Sequence, residues 1–129
     1  MPNEVISPAV CIVDDDASVR KSLVNLLRAV GYTTASFASG EAFLASPQAR
    51  QPGCVLLDLR MPGLLGIEVQ QQLRAADSPI AVVCMSAHDD EATVVQVMAA
   101  GASAFLHKPF SEAALMAALT RALGVAMFS

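Results

Sequence analysis

The sequence predicts a single α/β domain built on a doubly wound parallel sheet of five strands, with helices on both faces. Short apolar runs rich in β-branched residues, without alternation of polar and apolar positions, are typical of strands buried on both faces. Segments with helical spacing of apolar residues lie between these runs. Strands that alternate with helices form parallel, right-handed crossover units. A length of 129 residues suits one domain with one sizeable core.

Five segments are predicted as strands. Three of them are continuous apolar runs, at residues 9–13, 54–59 and 80–86. Two further segments, residues 32–37 and 104–107, are shorter or more polar and complete the alternation. The three continuous runs are apolar up to their last two residues, which predicts that these strands are buried on both faces of the sheet.

The first two helices are delimited by capping and breaking residues. Asp16 can cap the first helix and Gly31 can end it. Its apolar face, at helical spacing, is formed by Val19, Leu23, Leu26, Leu27 and Val30. The second helix follows Gly40 and is predicted to stop before Pro47, because the residue before a proline disfavours helix.

Three more helices follow in the second half of the chain. The apolar spacing of the third is given by Ile67, Val69, Gln70 and Leu73. The fourth is predicted over residues 91–100, with acidic residues at its start and Gly101 at its end. Ser111 caps the fifth, which runs to about residue 123, before Gly124.

Composition excludes several classes of protein. The net charge is −4 and the eight Lys and Arg residues are scattered, so this domain is not expected to bind nucleic acid directly. No basic segment precedes an apolar one at the N-terminus, and no apolar run approaches the length of a membrane span. The cysteines lie in apolar runs without a C-x-x-C pair, which favours a reduced, cytoplasmic protein: Cys11, Cys54 and Cys84.

Polar side chains follow four of the predicted strands. Aspartates 14–16 follow the first strand, and Asp58 lies at the end of the third. Ser86 ends the fourth strand, and Lys108 follows the fifth. In open parallel sheets, sites form beyond the carboxyl ends of the strands, so these side chains are expected to converge.

These residue types favour phosphoryl-transfer chemistry. Adjacent carboxylates repel one another, and a hard cation such as Mg²⁺, which takes oxygen ligands, relieves the repulsion. No Cys or His cluster has the spacing of zinc ligands. Lys108 could neutralise an incoming phosphate oxygen, and the hydroxyl of Ser86 could donate to another. Asp58 would then be the nucleophile that forms an aspartyl phosphate.

Four motifs and their spacing resemble the receiver domain of two-component response regulators. They read "VDDD", "LLDLRMPGLLG", "CMSAH" and "FLHKPF", and the resemblance covers essentially the whole chain. It implies a flavodoxin-like (βα)5 fold with strand order 2-1-3-4-5. It also implies that residues 1–129 are one receiver domain, which catalyses at most its own phosphorylation and dephosphorylation.

The same resemblance assigns the acceptor and the metal ligands. Asp58 would accept a phosphoryl group from a sensor histidine kinase. Asp14 and Asp15 would hold Mg²⁺ together with Asp58, with Asp15 the more direct of the two. The backbone carbonyl of Arg60, two residues after the acceptor, would be a further ligand.

The resemblance also assigns the residues that respond to the phosphoryl group. Ser86 would bind a phosphoryl oxygen as the switch hydroxyl, and Lys108 would pair with the group. The bond between Lys108 and Pro109 would be cis, which is uncommon for X–Pro bonds in folded proteins. Phe105 fills the aromatic switch position; it lacks a hydroxyl, so a packing change or a static core role are both open.

Positions two residues after the acceptor and the switch hydroxyl border the phosphoryl group in the family. Here they are Arg60 and His88, which would tune hydrolysis; a solvated loop histidine is the alternative for His88. "FASGEAFLAS" and "AGASAFLHKPF" look most like the FixJ-like regulators. Those carry a C-terminal DNA-binding domain that is absent from these 129 residues, so the chain is expected to be a truncated protein rather than a stand-alone receiver.

The output surface is predicted on helix four, strand five and helix five, where charges are few. This face would form a phosphorylation-dependent homodimer that controls transcription.

Three other functions fit the sequence less well. A haloacid-dehalogenase-like phosphatase needs an acid where Arg60 stands. A nucleotide-binding domain needs a glycine-rich phosphate loop, which is missing. A receiver that is never phosphorylated would not need the full set of acceptor, acids, hydroxyl and lysine.

Overall fold

The computed structural model describes residues 9–87 and 90–124, where strand and helix alternate five times. The strands are β1 (Ala9–Val13), β2 (Thr33–Phe37), β3 (Cys54–Asp58), β4 (Ala81–Ser86) and β5 (Ala104–His107). The helices are α1 (Ala17–Val30), α2 (Gly40–Leu44), α3 (Gly66–Ala75), α4 (Glu91–Ala99) and α5 (Glu112–Leu123). One element was not predicted, a short 3₁₀ helix at Pro47–Arg50 that follows α2.

All strand pairs are parallel, and the strand order is β2-β1-β3-β4-β5. The predicted doubly wound, flavodoxin-like arrangement is therefore confirmed. Helices α1 and α5 cover one face of the sheet, and α2, α3 and α4 cover the other. Every residue of β3 is buried because this strand is central and both its faces are covered by helices.

The helix ends follow the predicted capping chemistry. The side chain of Asp16 accepts hydrogen bonds from the backbone amides of Ser18, at 2.8 Å, and Val19, at 3.3 Å. Gly31, with φ of 111°, ends α1 in a left-handed conformation that a residue with a Cβ rarely adopts. The Asp16 cap fixes where α1 starts, and therefore how the aspartates before it follow β1, whereas Gly31 fixes where the helix ends.

The three cysteines are buried and free of disulfides. Burial raises the pKa of Cys11 to about 11 and the pKa of Cys54 and Cys84 to about 12. They are neutral thiols at physiological pH and act as small core residues. Of the helices in the described ranges, none has the length and apolar character needed to cross a membrane.

Candidate functional site

The pairing of the two central strands brings two aspartates together. Val13 of β1 pairs with Leu57 of β3. The residues that follow them, Asp14 and Asp58, therefore lie side by side at the carboxyl ends of these strands. Both are buried, with relative exposures of 0% and 6%. Asp15 turns outward and is exposed, yet one carboxylate oxygen from each of the three lies within 4.8 Å of the others. The predicted acidic cluster is present at the carboxyl edge of the sheet.

Lys108 reaches this cluster from β5. Its backbone amide donates to the carbonyl of Ser86 at 2.9 Å, which extends the pairing of β4 and β5 by one residue. The peptide bond from Lys108 to Pro109 is cis. Nζ of Lys108 lies 2.6 Å from Oδ2 of Asp14 and 3.4 Å from Oδ2 of Asp58. One ammonium group therefore contacts both buried carboxylates.

The buried charges shift two pKa values in the site. Burial raises the pKa of Asp58, and the charge of Asp14 raises it further. The hydrogen bond from the Arg60 amide and the ammonium of Lys108 lower it, but the net direction is upward. Burial by itself would lower the pKa of Lys108, and the two carboxylates outweigh it, so this pKa is also raised. Among the described residues, two buried carboxylates thus share one contacting ammonium group.

The loop after β3 closes tightly around Asp58. The amide of Arg60 donates to Oδ1 of Asp58 at 3.1 Å, and the amide of Leu59 donates to the carbonyl of Met85 at 3.0 Å. The side chain of Arg60 is exposed. Together with Ser86, it lines a cleft of about 100 Å³ between α3 and α4.

The donor set of this site consists of carboxylate oxygens. Hard divalent cations, Mg²⁺ above all, prefer such ligands, whereas zinc favours sulfur and nitrogen. Asp14 and Asp58 are also too deeply buried to be screened well by water. The residues present therefore fit a divalent cation bound at an acidic pocket beside a lysine.

The family comparison supports this geometry. The model of the response regulator receiver domain matches residues 10–120 of the chain, which include the acidic cluster and the lysine. The chain belongs to the response regulator receiver family. Among solved structures, the receiver domain is similar to FixJ-N, with a TM-score of 0.84 and 35% identity over 92% of this chain and 95% of that one. It is also similar to the response regulator StyR, with a TM-score of 0.84 and 46% identity over 91% of this chain and 59% of that one.

Curated relatives of the receiver domain include a response regulatory protein and a transcriptional regulatory protein. The tetrathionate response regulatory protein TtrR of Salmonella typhimurium is 43% identical over 114 residues, which are 88% of this chain and 55% of that protein. The transcriptional regulatory protein FixJ of Azorhizobium caulinodans is 40% identical over 113 residues, 88% of this chain and 54% of that protein. The chain spans about half the length of the curated relatives it matches.

Two residues predicted from the sequence are not part of the acidic cluster as the structure describes it. Phe105 is half-buried on β5, where it pairs with Cys84 of β4, and its ring meets that of His107 edge-on with centroids 5.7 Å apart. His88 lies outside the described residues of the receiver domain. Its role in tuning hydrolysis therefore stays a prediction.

One residue near the site was missed by the sequence analysis. Nη1 of Arg20, in the second turn of α1, donates to the backbone carbonyl of Asp14 at 2.7 Å. The amide of Asp16 donates to Oδ1 of Asp14 at 2.9 Å, so both the backbone carbonyl and the carboxylate of Asp14 accept hydrogen bonds. The spacing of six residues between Asp14 and Arg20 carried no signal, because only the turn after β1 brings the guanidinium back to that carbonyl.

Proposed function

We propose that this receiver domain accepts a phosphoryl group from a sensor histidine kinase on Asp58. The observation that carries the proposal is the contact of Lys108 with two buried carboxylates, one of them on Asp58, at the carboxyl edge of the sheet. Burial disfavours the charged form of a carboxylate, and ionisable groups perturbed in this way cluster at functional sites.

In the proposed step, one carboxylate oxygen of Asp58 attacks the phosphorus of the phosphohistidine. A phosphorus–oxygen bond forms while the phosphorus–nitrogen bond breaks, and the imidazole of the kinase, which takes a proton from solvent on its other ring nitrogen, leaves as a neutral ring. Lys108 shifts its ammonium from Asp14 to one phosphoryl oxygen. Ser86 donates its hydroxyl to another, so the added negative charge is met by donors already positioned at the strand ends.

The residues that would hold Mg²⁺ are Asp14, Asp15, Asp58 and the backbone carbonyl of Arg60. Bound there, the cation supplies the positive charge that lets a phosphoryl dianion approach a group of carboxylates. The grouping of three carboxylate oxygens, one from each aspartate, within 4.8 Å of one another supports this assignment. Arg60 and His88 are proposed to tune how quickly the aspartyl phosphate is hydrolysed.

Incubation with acetyl phosphate and Mg²⁺ is expected to add one phosphoryl group, seen as an acid-stable and base-labile increase in mass. Addition of a chelator in excess is expected to reduce the labelled fraction to background, because the carboxylates then repel the donor. Restoring Mg²⁺ is the control for damage by the chelator. Equal labelling with and without the metal would contradict the metal role, and no labelling in either condition would contradict the acceptor function.

We also propose that phosphorylation alters the face formed by α4, β5 and α5. Helix α4 exposes Val95 at 62% and Met98 at 37%, and residues three apart on a helix are neighbours on its surface. Next to them, a cleft of about 380 Å³ is lined by residues of all three elements, including Phe105 and Arg121. The proposed coupling runs from Ser86 through Phe105 to this face, as a shift between two packed states.

This face is proposed to form a homodimer when Asp58 is phosphorylated. Sedimentation with beryllofluoride and Mg²⁺ is expected to show a dimer at micromolar concentration, and the untreated protein a monomer. Val95→Glu is expected to weaken the dimer, because it places charge in the contact, by about tenfold in the dissociation constant. Val30→Glu, at an exposed apolar position on α1, is the matched control and should leave it unchanged. Equal weakening by both variants would contradict this location.

The output of the whole protein is proposed to be control of transcription, which the name of the transcriptional regulatory protein FixJ states for that relative. Residues 1–129 are proposed to act as one receiver domain that does not itself contact nucleic acid or membrane. We place it in the cytoplasm, where the reduced state of its three buried thiols would be maintained.

A further inference from the structure

The start of α2 carries an acidic residue that makes a long-range contact. Ser39 caps this helix, with its hydroxyl accepting from the amide of Ala42 at 3.1 Å. Glu41, in the first turn, reaches instead to the loop between β3 and α3. Its Oε2 accepts a hydrogen bond from the amide of Leu64 at 3.2 Å. This tie joins two segments that are 23 residues apart in the chain.

Gly63 allows the loop to approach that carboxylate. Its φ of +82° favours glycine, and a Cβ built at this position would lie 2.9 Å from Oε2 of Glu41. Any side chain here would displace the carboxylate from the amide of Leu64. The contact between the loop and α2 therefore requires both a glycine at position 63 and a side-chain oxygen acceptor at position 41.

The helix that presents Glu41 is itself held closely. A Cβ on Gly40 would lie 2.6 Å from Cγ2 of Val69 on α3 and 3.5 Å from the carbonyl oxygen of Leu64. Phe43, one turn on, is fully buried in the core beneath α2 and α3. An exposed carboxylate on a firmly packed helix gives a defined anchor point, which a carboxylate on a loop would not.

The same loop is fixed to the acceptor at its other end. Leu59 and Arg60 make the backbone hydrogen bonds to Met85 and Asp58 that close the loop onto β4 and the acceptor. Between these bonds and the Glu41 tie lies the short stretch from Arg60 to Gly63. The conformation of that stretch decides where the carbonyl of Arg60 points.

We infer that Glu41 is a positioning residue for the metal site, acting through the loop that carries the Arg60 carbonyl. The effect on the metal rests on the proposed function, whereas the effect on the loop does not. Glu41 touches neither the acceptor nor the cluster in the described contacts. It limits the loop to the conformation in which the Arg60 amide donates to Asp58, and thereby restricts the position of the Arg60 carbonyl.

Two measurements test this inference on the whole chain. Hydrogen exchange of the 59–66 segment, in chelator, is expected to speed up about fivefold in Glu41→Ala, because the loop loses one hydrogen bond to a charged acceptor. Mg²⁺ affinity, followed by titration calorimetry, is expected to fall about tenfold, at the lower end of the effect of groups that orient metal ligands. Labelling by acetyl phosphate should then recover at saturating Mg²⁺, since the acceptor itself is untouched.

Conservative and matched variants separate positioning from general stability. Glu41→Gln keeps an oxygen acceptor for the Leu64 amide and is expected to restore most of the affinity and the slow exchange. Glu112→Ala removes the same charge from the first turn of α5 and should change neither measurement. Gly63→Ala and Glu41→Ala are expected to be non-additive, since each breaks the same tie.

The outcomes are distinguishable. Unchanged exchange and unchanged Mg²⁺ affinity in Glu41→Ala would overturn the inference, as would an equal loss in Glu112→Ala. Faster loop exchange without any change in affinity would overturn the link to the metal. A wild-type protein that binds no Mg²⁺ would overturn the proposed metal site, while the exchange measurement would still decide whether Glu41 holds the loop.

Discussion

Asp58→Asn is expected to abolish labelling by acetyl phosphate, reducing it to background at every Mg²⁺ concentration. The amide of Asn has almost the same shape but is a poor nucleophile, so the phosphorus–oxygen bond cannot form. Asp14, the other buried carboxylate in the described part of the chain, is not expected to replace it, because it is held by Lys108 and by the amide of Asp16. Intact-mass spectrometry of the two proteins, treated in parallel, measures the difference directly.

Asp77→Asn is the matched control for this experiment. Asp77 is exposed after α3, near the opposite edge of the sheet, and has a φ of 53°. Asn tolerates such a left-handed conformation as well as Asp does. Labelling of Asp77→Asn should equal that of the wild type. If Asp58→Asn were labelled to the same extent as Asp77→Asn, the acceptor would be another residue.

The same Asp58→Asn protein is expected to be more stable without metal. The pKa of Asp58 is raised on folding, chiefly by burial, so stability falls as the pH rises from the ordinary value of 3.8 through the folded pKa. At pH 7 the ionised carboxylate is therefore a cost that the neutral amide avoids. We expect a gain of about 1 kcal/mol, or about 4 °C in Tm. A lower Tm in chelator would show that Lys108 compensates the charge fully.

Removal of Lys108 is expected to have the second-largest effect. Without its ammonium, Asp14 and Asp58 face each other with no contacting cation, and loss of one partner of a buried pair is costly. The side chain is 22% exposed, so we expect the lower end of that cost, about 2–3 kcal/mol in the free energy of unfolding for Lys108→Ala. Urea unfolding at pH 7 in chelator measures it, and Mg²⁺ should restore part of the loss.

The pH dependence gives a second signature of this pair. The pKa of Lys108 is raised in the folded protein, so its stabilisation is complete below the ordinary value of 10.5 and is lost as the pH rises through the folded value. The difference between wild type and Lys108→Met, which keeps the aliphatic stem, should therefore be constant near neutral pH and shrink above pH 10.5. A difference that grew with pH would contradict the assigned contacts.

Lys108 variants are also expected to separate phosphorylation from response. Lys108→Ala keeps Asp58 and should still be labelled by acetyl phosphate, but the dimer that forms with the wild type should be absent. The only other lysine in the chain, Lys21, is exposed on α1 and provides the control. Lys21→Ala should be labelled and should dimerise normally. Normal dimerisation of phosphorylated Lys108→Ala would mean that another group senses the phosphoryl oxygen.

Local chemistry determined much of the fold. Short continuous apolar runs are typical of strands covered on both faces, and Asp16, Gly31 and Ser111 delimit helices for reasons confined to a few residues. Together with the helical spacing of apolar residues and two weaker segments that complete the alternation, these features predicted all five strands and five helices. The 3₁₀ helix at Pro47–Arg50 was not predicted, because a proline that ends the preceding helix is equally well suited to the first turn of a new one.

The sequence by itself determined the residue types that end each strand, and hence the acidic edge, the lysine opposite it and the kind of chemistry they support. Only the tertiary structure decided which atoms meet. The register between β1 and β3 brings Asp14 beside Asp58. The turn after β5 brings Lys108 closer to Asp14 than to Asp58. The ties from Arg20 and Glu41 were invisible in the sequence for the same reason: a hydrogen bond between distant segments depends on how the chain is packed, and spacing along the chain does not encode it.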